Sequence, residues 1–351
     1  MYKYCSHCGE KMEVSANFCI RCGTKFGEAS FEDAGQAGFS QSEYEPGGEE
    51  NYYSTSTAQP CQEVFSTSGI DKISTSFKVC NVELIASDTE DIQVTWEKTD
   101  SWNLISHMKG TTLYLKEHNR FGIHNIHDFF HNSGKNVVRI EVPRAKAFDL
   151  QLENETGAIV VSDVEANQYA ELKTSIGKIE LNNLKTRESL TVTTTTGSIR
   201  VSEISTGQVV RLGSQIGRIQ AENITTESFF LNSTSGRCSI RNINTGGHLI
   251  VTGGVGELLL DEVSADKMDI RMNASGNINC QNLYAGSSIS IYNTVGNVSC
   301  GICDDAANYT THCHSEQGTN NYPEVSGKGS KNLNIRTTLG GVSICFTGIK
   351  S

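Results

Sequence analysis

Hydrophobic and polar residues alternate along most of this chain, and from Leu150 onward the alternation repeats at a fixed interval. Gly157, Gly177, Gly197, Gly217, Gly236, Gly256, Gly276 and Gly296 follow one another at spacings of 20, 20, 20, 19, 20, 20 and 20 residues. Aliphatic side chains recur at set offsets from each glycine. Two residues after it stand Ile159, Ile179, Ile199, Ile219, Cys238, Leu258, Ile278 and Val298. Four after it the series runs from Val161 to Cys300, seven after it from Val164 to Cys303, and five before it from Leu152 to Ile291. Polar residues fill the places between, which is the period-two pattern of strands with one buried face. The five-before register slips by one at Ile270 and Met272, where a β-bulge is expected.

Each unit therefore reads as two short strands joined at a turn such as TTTTG, NSTSG or YNTVG. One unit cannot stand alone. Five inward side chains at roughly 1.5–3 kcal/mol each do not offset about 1–2 kcal/mol of backbone entropy for every one of about twenty residues. Stacked units share ladder hydrogen bonds and a continuous apolar core, so the pattern predicts a mainly β fold, a β-solenoid of about 20-residue coils over 150–348. The alternation in FKVCNVELIASDTEDIQVTWEK, TLYLKE and VVRIEVPRAKAFDL is less regular, and 67–149 is expected to hold an N-terminal cap and the first strands. Near the other end, NLNIRTTLGGVSICF restores the pattern with Gly340 at the turn and Ile335, Val342 and Ile344 inward.

The first residues follow a different logic. Cys5, Cys8, Cys19 and Cys22 form two Cys-x2-Cys pairs, each followed by a glycine, Gly9 and Gly23. Two cysteines three apart on a tight turn aim both thiolates at one ion, and two such turns complete a tetrahedral Zn2+ site with no open position. A segment of 1–26 is too short to bury a core, so the metal, at about 10–16 kcal/mol, would be what folds it, in a structural rather than catalytic role. Residues 27–66 are expected to be a disordered acidic linker; 27–60 hold seven acids and no base.

The formal net charge of −11 is thus uneven, with +2 in residues 1–26 and −7 in 27–60. An acidic chain with a weakly basic tip is a poor general binder of nucleic acid, because such affinity comes from neutralising phosphates. MYKYCSHCGEK lacks the apolar core of a signal peptide, and no run of about 18 apolar residues occurs, so no transmembrane segment and a cytoplasmic location are expected. The twelve cysteines fit a reducing compartment, four by their metal spacing and others by their core positions.

The first 25 residues or so resemble the short double-knuckle zinc ribbons of many bacterial proteins, which implies an interaction module. The run VRIEVPRAKAFDLQLENETGAIVVSDV, with its Val142–Pro143 entry, and units such as LTVTTTTGSIRVSEI resemble the bacterial putative-adhesin β-strand repeat family, a domain of unknown function, over residues 68 to 348. That resemblance implies a location at the cell surface or a link to envelope or membrane-stress regulation, and it supplies no catalytic residues.

Three further clusters bear on chemistry. Cys300, Cys303, His312, Cys313 and His314 have the donor types of a metal site, but Cys300 and Cys303 also fall in the inward columns of Cys280 and Leu283, as buried small apolar groups would. His118, His124, His127 and His131 share one polar loop. Lys178, Arg200, Arg218 and Arg237 lie on outward positions of successive units, a basic stripe interrupted by Glu180 and Glu257 that offers a face for an anionic polymer. The reading that follows is a non-enzymatic binding or scaffold protein whose ribbon and rod take protein partners. The alternatives are a filament-forming structural protein and, on a weaker basis, a polysaccharide-active β-helix enzyme, whose paired carboxylates the Thr-, Ser- and Asn-rich outward columns lack.

Overall fold

The computed structural model describes residues 2–4, 11–13, 58–99, 102–119 and 136–348, in two compact units, Met1–Ser54 and Thr55–Ser351. In the first, Tyr2–Tyr4 pairs antiparallel with Lys11–Glu13.

The second unit is a stack of two-strand rungs. Tyr169–Ile176 and Ile179–Thr186 make one rung, and each strand pairs in parallel with its counterpart one repeat later, Ser189–Thr196 and Ile199–Thr206. The sequence columns become vertical rows of side chains. Ile179 is in register with Ile199 and Ile199 with Ile219, and all three are fully buried. The same holds for Leu172, Val192 and Leu212, so one apolar core runs along the described stack.

The corner glycines are required twice over. Gly197 and Gly217 have φ of 152° and 153°, a backbone region that side chains disfavour. Each also sits directly over the carbonyl of the glycine one rung below, so a Cβ on Gly197 would lie about 2 Å from the oxygen of Gly177. A second bend lies six residues after the glycine, where Asp163, Asn183, Glu203, Asn223, Asn242, Glu262 and Asn282 hold φ between 49° and 58°. Asn and Asp tolerate this conformation best. The acidic and amide side chains there link rungs, as in Asn183 Nδ2 to Asp163 Oδ1 at 2.8 Å and Asn242 Nδ2 to Asn223 Oδ1 at 2.7 Å.

A third row, three residues before the glycines, is polar yet buried at Asn154, Thr174, Thr194, Ser214, Ser233 and Asn293, with Gly253 and the exposed Asn273 as exceptions. Thr174 donates to the Gly157 carbonyl at 3.3 Å, Thr194 to Gly177 at 3.3 Å, and Asn293 to Gly276 at 3.0 Å. These side chains satisfy corner carbonyls that would otherwise lack a partner inside the stack.

Several expectations need adjustment. The expected bulge at Ile270 and Met272 is instead a shift taken at two corners. Two residues separate buried Ala265 from buried Met268, where three separate Thr245 from Leu249, and the missing residue is restored between Met272 and Gly276. Gly253 provides the room for Met272, whose sulfur would lie 3.0 Å from a Cβ at that glycine. At the next rung the left-handed residue is absent, so Leu283 pairs with Ile302 and Cys303 is displaced from the core to a half-buried position. The strand Gln59–Phe65 lies within the expected linker. Its apolar signal is weak because only Cys61 and Phe65 pack against the core while Val64 faces out. The stack also begins earlier than residue 150, since Lys72–Val79 and Asn81–Ser87 form a rung in parallel register with Asp149–Thr156 and Ile159–Ala166.

Both ends are built by reversing chain order. Thr112–Asn119 and Val137–Pro143 stack on the Lys72–Ser87 rung and are covered by the antiparallel strands Ile92–Lys98 and Trp102–Lys109. At the other end Lys331–Leu339 and Val342–Phe346 stack on the rung ending at Ile302, while the earlier Tyr309–Gln317 lies outside them. The Asn321 side chain closes Val342–Phe346 by accepting from the Ile344 amide at 2.9 Å and donating to its carbonyl at 3.2 Å, in the manner of a strand neighbour. The first end is thus covered by antiparallel strands, whereas at the other Tyr309–Gln317 continues the parallel register and only Thr311 and His312 pair antiparallel, with Val325–Ser326.

Candidate binding surface

Cys5, Cys8, Cys19 and Cys22 lie outside the described residues. The hairpin of Tyr2–Tyr4 and Lys11–Glu13 brackets residues 5–10, which include the first pair. The donor set suits Zn2+, because four thiols in two Cys-x2-Cys pairs match its tetrahedral preference.

On the rod, the outward rows after the corner glycines carry the four cations of the expected stripe. Lys178 reaches Glu180 on its own strand at 3.1 Å, and Arg237 pairs with Glu257 one rung above. Arg200 donates twice to Gln220 Oε1, at 3.2 and 3.0 Å. The predicted basic stripe is therefore a ladder in which two of the four cations have carboxylate partners. Arg218 is exposed, and among the described residues it forms no ion pair.

Farther along the same face is a shallow groove of about 450 Å³ lined by Gln220, Glu222, Arg241, Asp261, Asn279 and Gln281 among others. The Arg241 guanidinium lies 3.9 Å from Glu222 and 3.7 Å from Asp261, on the rungs either side of its own. It occupies the space between the two carboxylates, so the groove presents a fixed alternation of acid, base and amide. Sequence columns contain this signal, since Glu222, Arg241 and Asp261 share one offset, but it emerges only once neighbouring repeats are known to touch.

The donors of the Cys300–His314 cluster do not converge. Strand alternation on Tyr309–Gln317 places Cys313 inside and His312 and His314 outside, with His314 Nδ1 2.7 Å from Glu324. Cys280 and Cys300 are register partners in the core. The hydrogen bond to Cys300, with burial, holds the Cys280 thiol well above its ordinary value, and burial pushes Cys313 up to about 12. Such thiols stay protonated and act as small apolar groups. His118 is exposed on Thr112–Asn119, and His124, His127 and His131 lie outside the described residues.

One buried charged cluster was not foreseen. Lys331 donates to Asp304 Oδ2 at 2.7 Å and to the Ala285 carbonyl at 2.8 Å, and sits 4.4 Å from the centre of the Tyr284 ring. Burial alone would raise the Asp304 carboxyl, but hydrogen bonds from Lys331, Asn308 and the Asp305 amide, with the lysine charge, hold it below its usual value. For Lys331 burial acts downward and Asp304 outweighs it, so the ammonium is raised. Asp304 stands where the chain leaves the last regular rung and Lys331 where it returns, so the pair pins the exchange of chain order.

The sequence profile of a family described as Toastrack DUF4097 matches residues 70–252 and again 208–344, and that of a zinc-ribbon domain matches residues 4–26. Among curated proteins none matches. Two solved structures align over most of their length. A putative adhesin from Bacteroides fragilis NCTC 9343 is 14% identical, with 82% of this chain and 97% of that chain covered and a TM-score of 0.38. A putative cell adhesion protein from Clostridium sporogenes ATCC 15579 is 12% identical, with 83% and 100% covered and a TM-score of 0.19.

Proposed function

This chain belongs to the Toastrack DUF4097 family, with a zinc ribbon at its N-terminus, and from that premise we propose that it is a non-enzymatic binding or scaffold protein. In this reading Cys5, Cys8, Cys19 and Cys22 hold one structural Zn2+, the ribbon at 1–26 recruits a protein partner, and the acidic segment that follows tethers it to the rod. The rod offers a second partner a rigid surface, inside the cell and in the service of envelope or membrane-stress regulation. The observation that carries this reading is the in-register outward lattice from Lys178 to Gln281, in which charges and amides are fixed by contacts between rungs. A surface held this way binds without first losing side-chain freedom, which favours recognition.

The test is affinity capture with the full chain, a Cys19→Ser/Cys22→Ser variant and an Arg218→Glu/Arg237→Glu variant. The first variant should lose one set of partners and the second another. If both retain every partner of the unaltered chain, the scaffold reading fails.

A further inference from the structure

The residue just before each corner glycine faces solvent, and along the stack this row alternates. It reads Thr156, Ile176, Thr196, Ile216, Ser235, Val255, Ser275 and Val295, then Leu339 and Gln317 on the last two rungs. Ile176, Ile216, Val255, Val295 and Leu339 are 38–59% exposed. The core does not demand this, since the row lies outside it and its hydroxyl members fold equally well. From Thr156 to Val295 aliphatic knobs therefore stand on alternate rungs, about 9.6 Å apart, separated by small hydroxyl residues, and Leu339 adds a knob on the rung next to Val295.

We propose that this corner ridge is a self-association surface at which a second copy of the chain packs antiparallel about a two-fold axis. A two-fold contact requires the patch to be complementary to itself. With the axis between the rungs of Ser235 and Val255, Ser235 faces Val255 of the second copy, Ile216 faces Ser275, and Thr196 faces Val295. Knobs then meet gaps along the ridge except where Ile176 meets Leu339, an apolar pair at the rim. The flank one residue after the glycines carries charge, and the same axis sets Arg237 of each copy opposite Glu257 of the other. Because these two already pair within one chain, the contact joins two ion pairs into a four-charge cluster. The opposite flank is uncharged from Ser175 through Thr234 and Gly254 to Thr338 and includes the small residues Gly254 and Ala274, which permit close approach, with charge only on the two end rungs, at Glu155 and at Glu316, which pairs with Arg336.

Ten rungs span about 43 Å, and a ridge contact about 12 Å wide would bury on the order of 1,000 Å² in total. That lies at the low end of specific interfaces, so the dimer is weak and concentration-dependent.

Sedimentation of the full chain over a range of concentrations, roughly 1 to 300 µM, reads this directly. The unaltered chain should pass from monomer to dimer. The triple variant Ile176→Thr, Ile216→Thr, Val255→Thr uses residue types that the neighbouring rungs already carry, so its folding is preserved. It should dimerise at least about a hundredfold more weakly, as expected for six half-exposed aliphatic side chains lost across two copies. An Ile216→Cys/Ser275→Cys variant fixes the orientation. These sites lie three rungs apart within one chain, too far for an internal disulfide, so a 216–275 crosslink found by peptide mass spectrometry joins two copies, and a closed dimer carrying two such links forms only when the copies are antiparallel. A chain that remains monomeric throughout, a dimer unchanged by the triple variant, or a 216–216 crosslink in place of 216–275 would overturn the proposal.

Discussion

Replacing one corner glycine separates contact between rungs from ordinary turn strain. Gly197→Ala places a methyl at φ 152°, where backbone strain costs about 1–3 kcal/mol. That methyl would also sit about 2 Å from the Gly177 carbonyl, far inside van der Waals contact, so two hydrogen-bonded rungs must part locally at a further cost of about 1–3 kcal/mol. The expected total is about 2–6 kcal/mol. Gly69→Ala is the control, because Gly69 also has positive φ, 80°, but nothing lies within 4 Å of a Cβ there. It should cost only about 1–2 kcal/mol. Urea unfolding followed by circular dichroism gives both values, and in a stacked array the Gly197 variant should also broaden the transition as the two sides of the lesion uncouple. Equal destabilisation by the two substitutions would refute the argument that glycine is needed because rungs touch at the corner.

The buried hydroxyl row predicts that Thr194→Val, which keeps shape and removes the donor to Gly177, lowers stability by about 1–3 kcal/mol in the same assay, while Thr193→Val on the outer face changes it little. Lys331→Met leaves Asp304 buried without its cation and should cost about 3–5 kcal/mol, with Asp304→Asn/Lys331→Met less damaging than the single change. For the unaltered pair, the depressed Asp304 contributes stability above about pH 3.9, lost as pH falls through its folded value. The raised Lys331 contributes below about pH 10.4, lost as pH rises through its folded value. Unfolding midpoints across pH should therefore sag at both extremes more in the unaltered chain than in the double variant. Gly253→Ala should be destabilising alone and partly rescued by Met272→Ala, a coupling that a double-mutant cycle reads as non-additivity. The zinc assignment predicts one Zn2+ per chain by elemental analysis, lost in Cys5→Ser/Cys8→Ser without change in the rod's unfolding transition.

The repeat was legible because each inward position is aliphatic in nearly every unit, and a core row tolerates little else. Ile179, Ile199 and Ile219 announce themselves at twenty-residue spacing. What escaped notice was of two kinds. Thr174, Thr194 and Asn293 are polar by composition and buried by position, and only the corner carbonyl beneath each explains why. The rungs at either end are assembled out of chain order, so Lys72–Val79 meets Asp149–Thr156 with a register offset of 77 residues, and no local pattern reports such a pairing. The groove around Arg241 falls between these cases. Its residues share an offset from the glycine, but their charges balance only when adjacent repeats are placed in contact.

The account rests on repeats stacking in register, one rung per repeat. Glu165, Lys185, Ser205, Thr225, Asn244 and Ser264 form one outward row. With one spin label at Glu165 and a second at Thr225, Asn244 or Ser264 in turn, attached through noncanonical residues to spare the native cysteines, electron–electron resonance should give backbone separations near 14, 19 and 24 Å, a constant increment of about 4.8 Å per repeat. Separations that fail to grow linearly with repeat number, or that grow by a different increment, would contradict the stack.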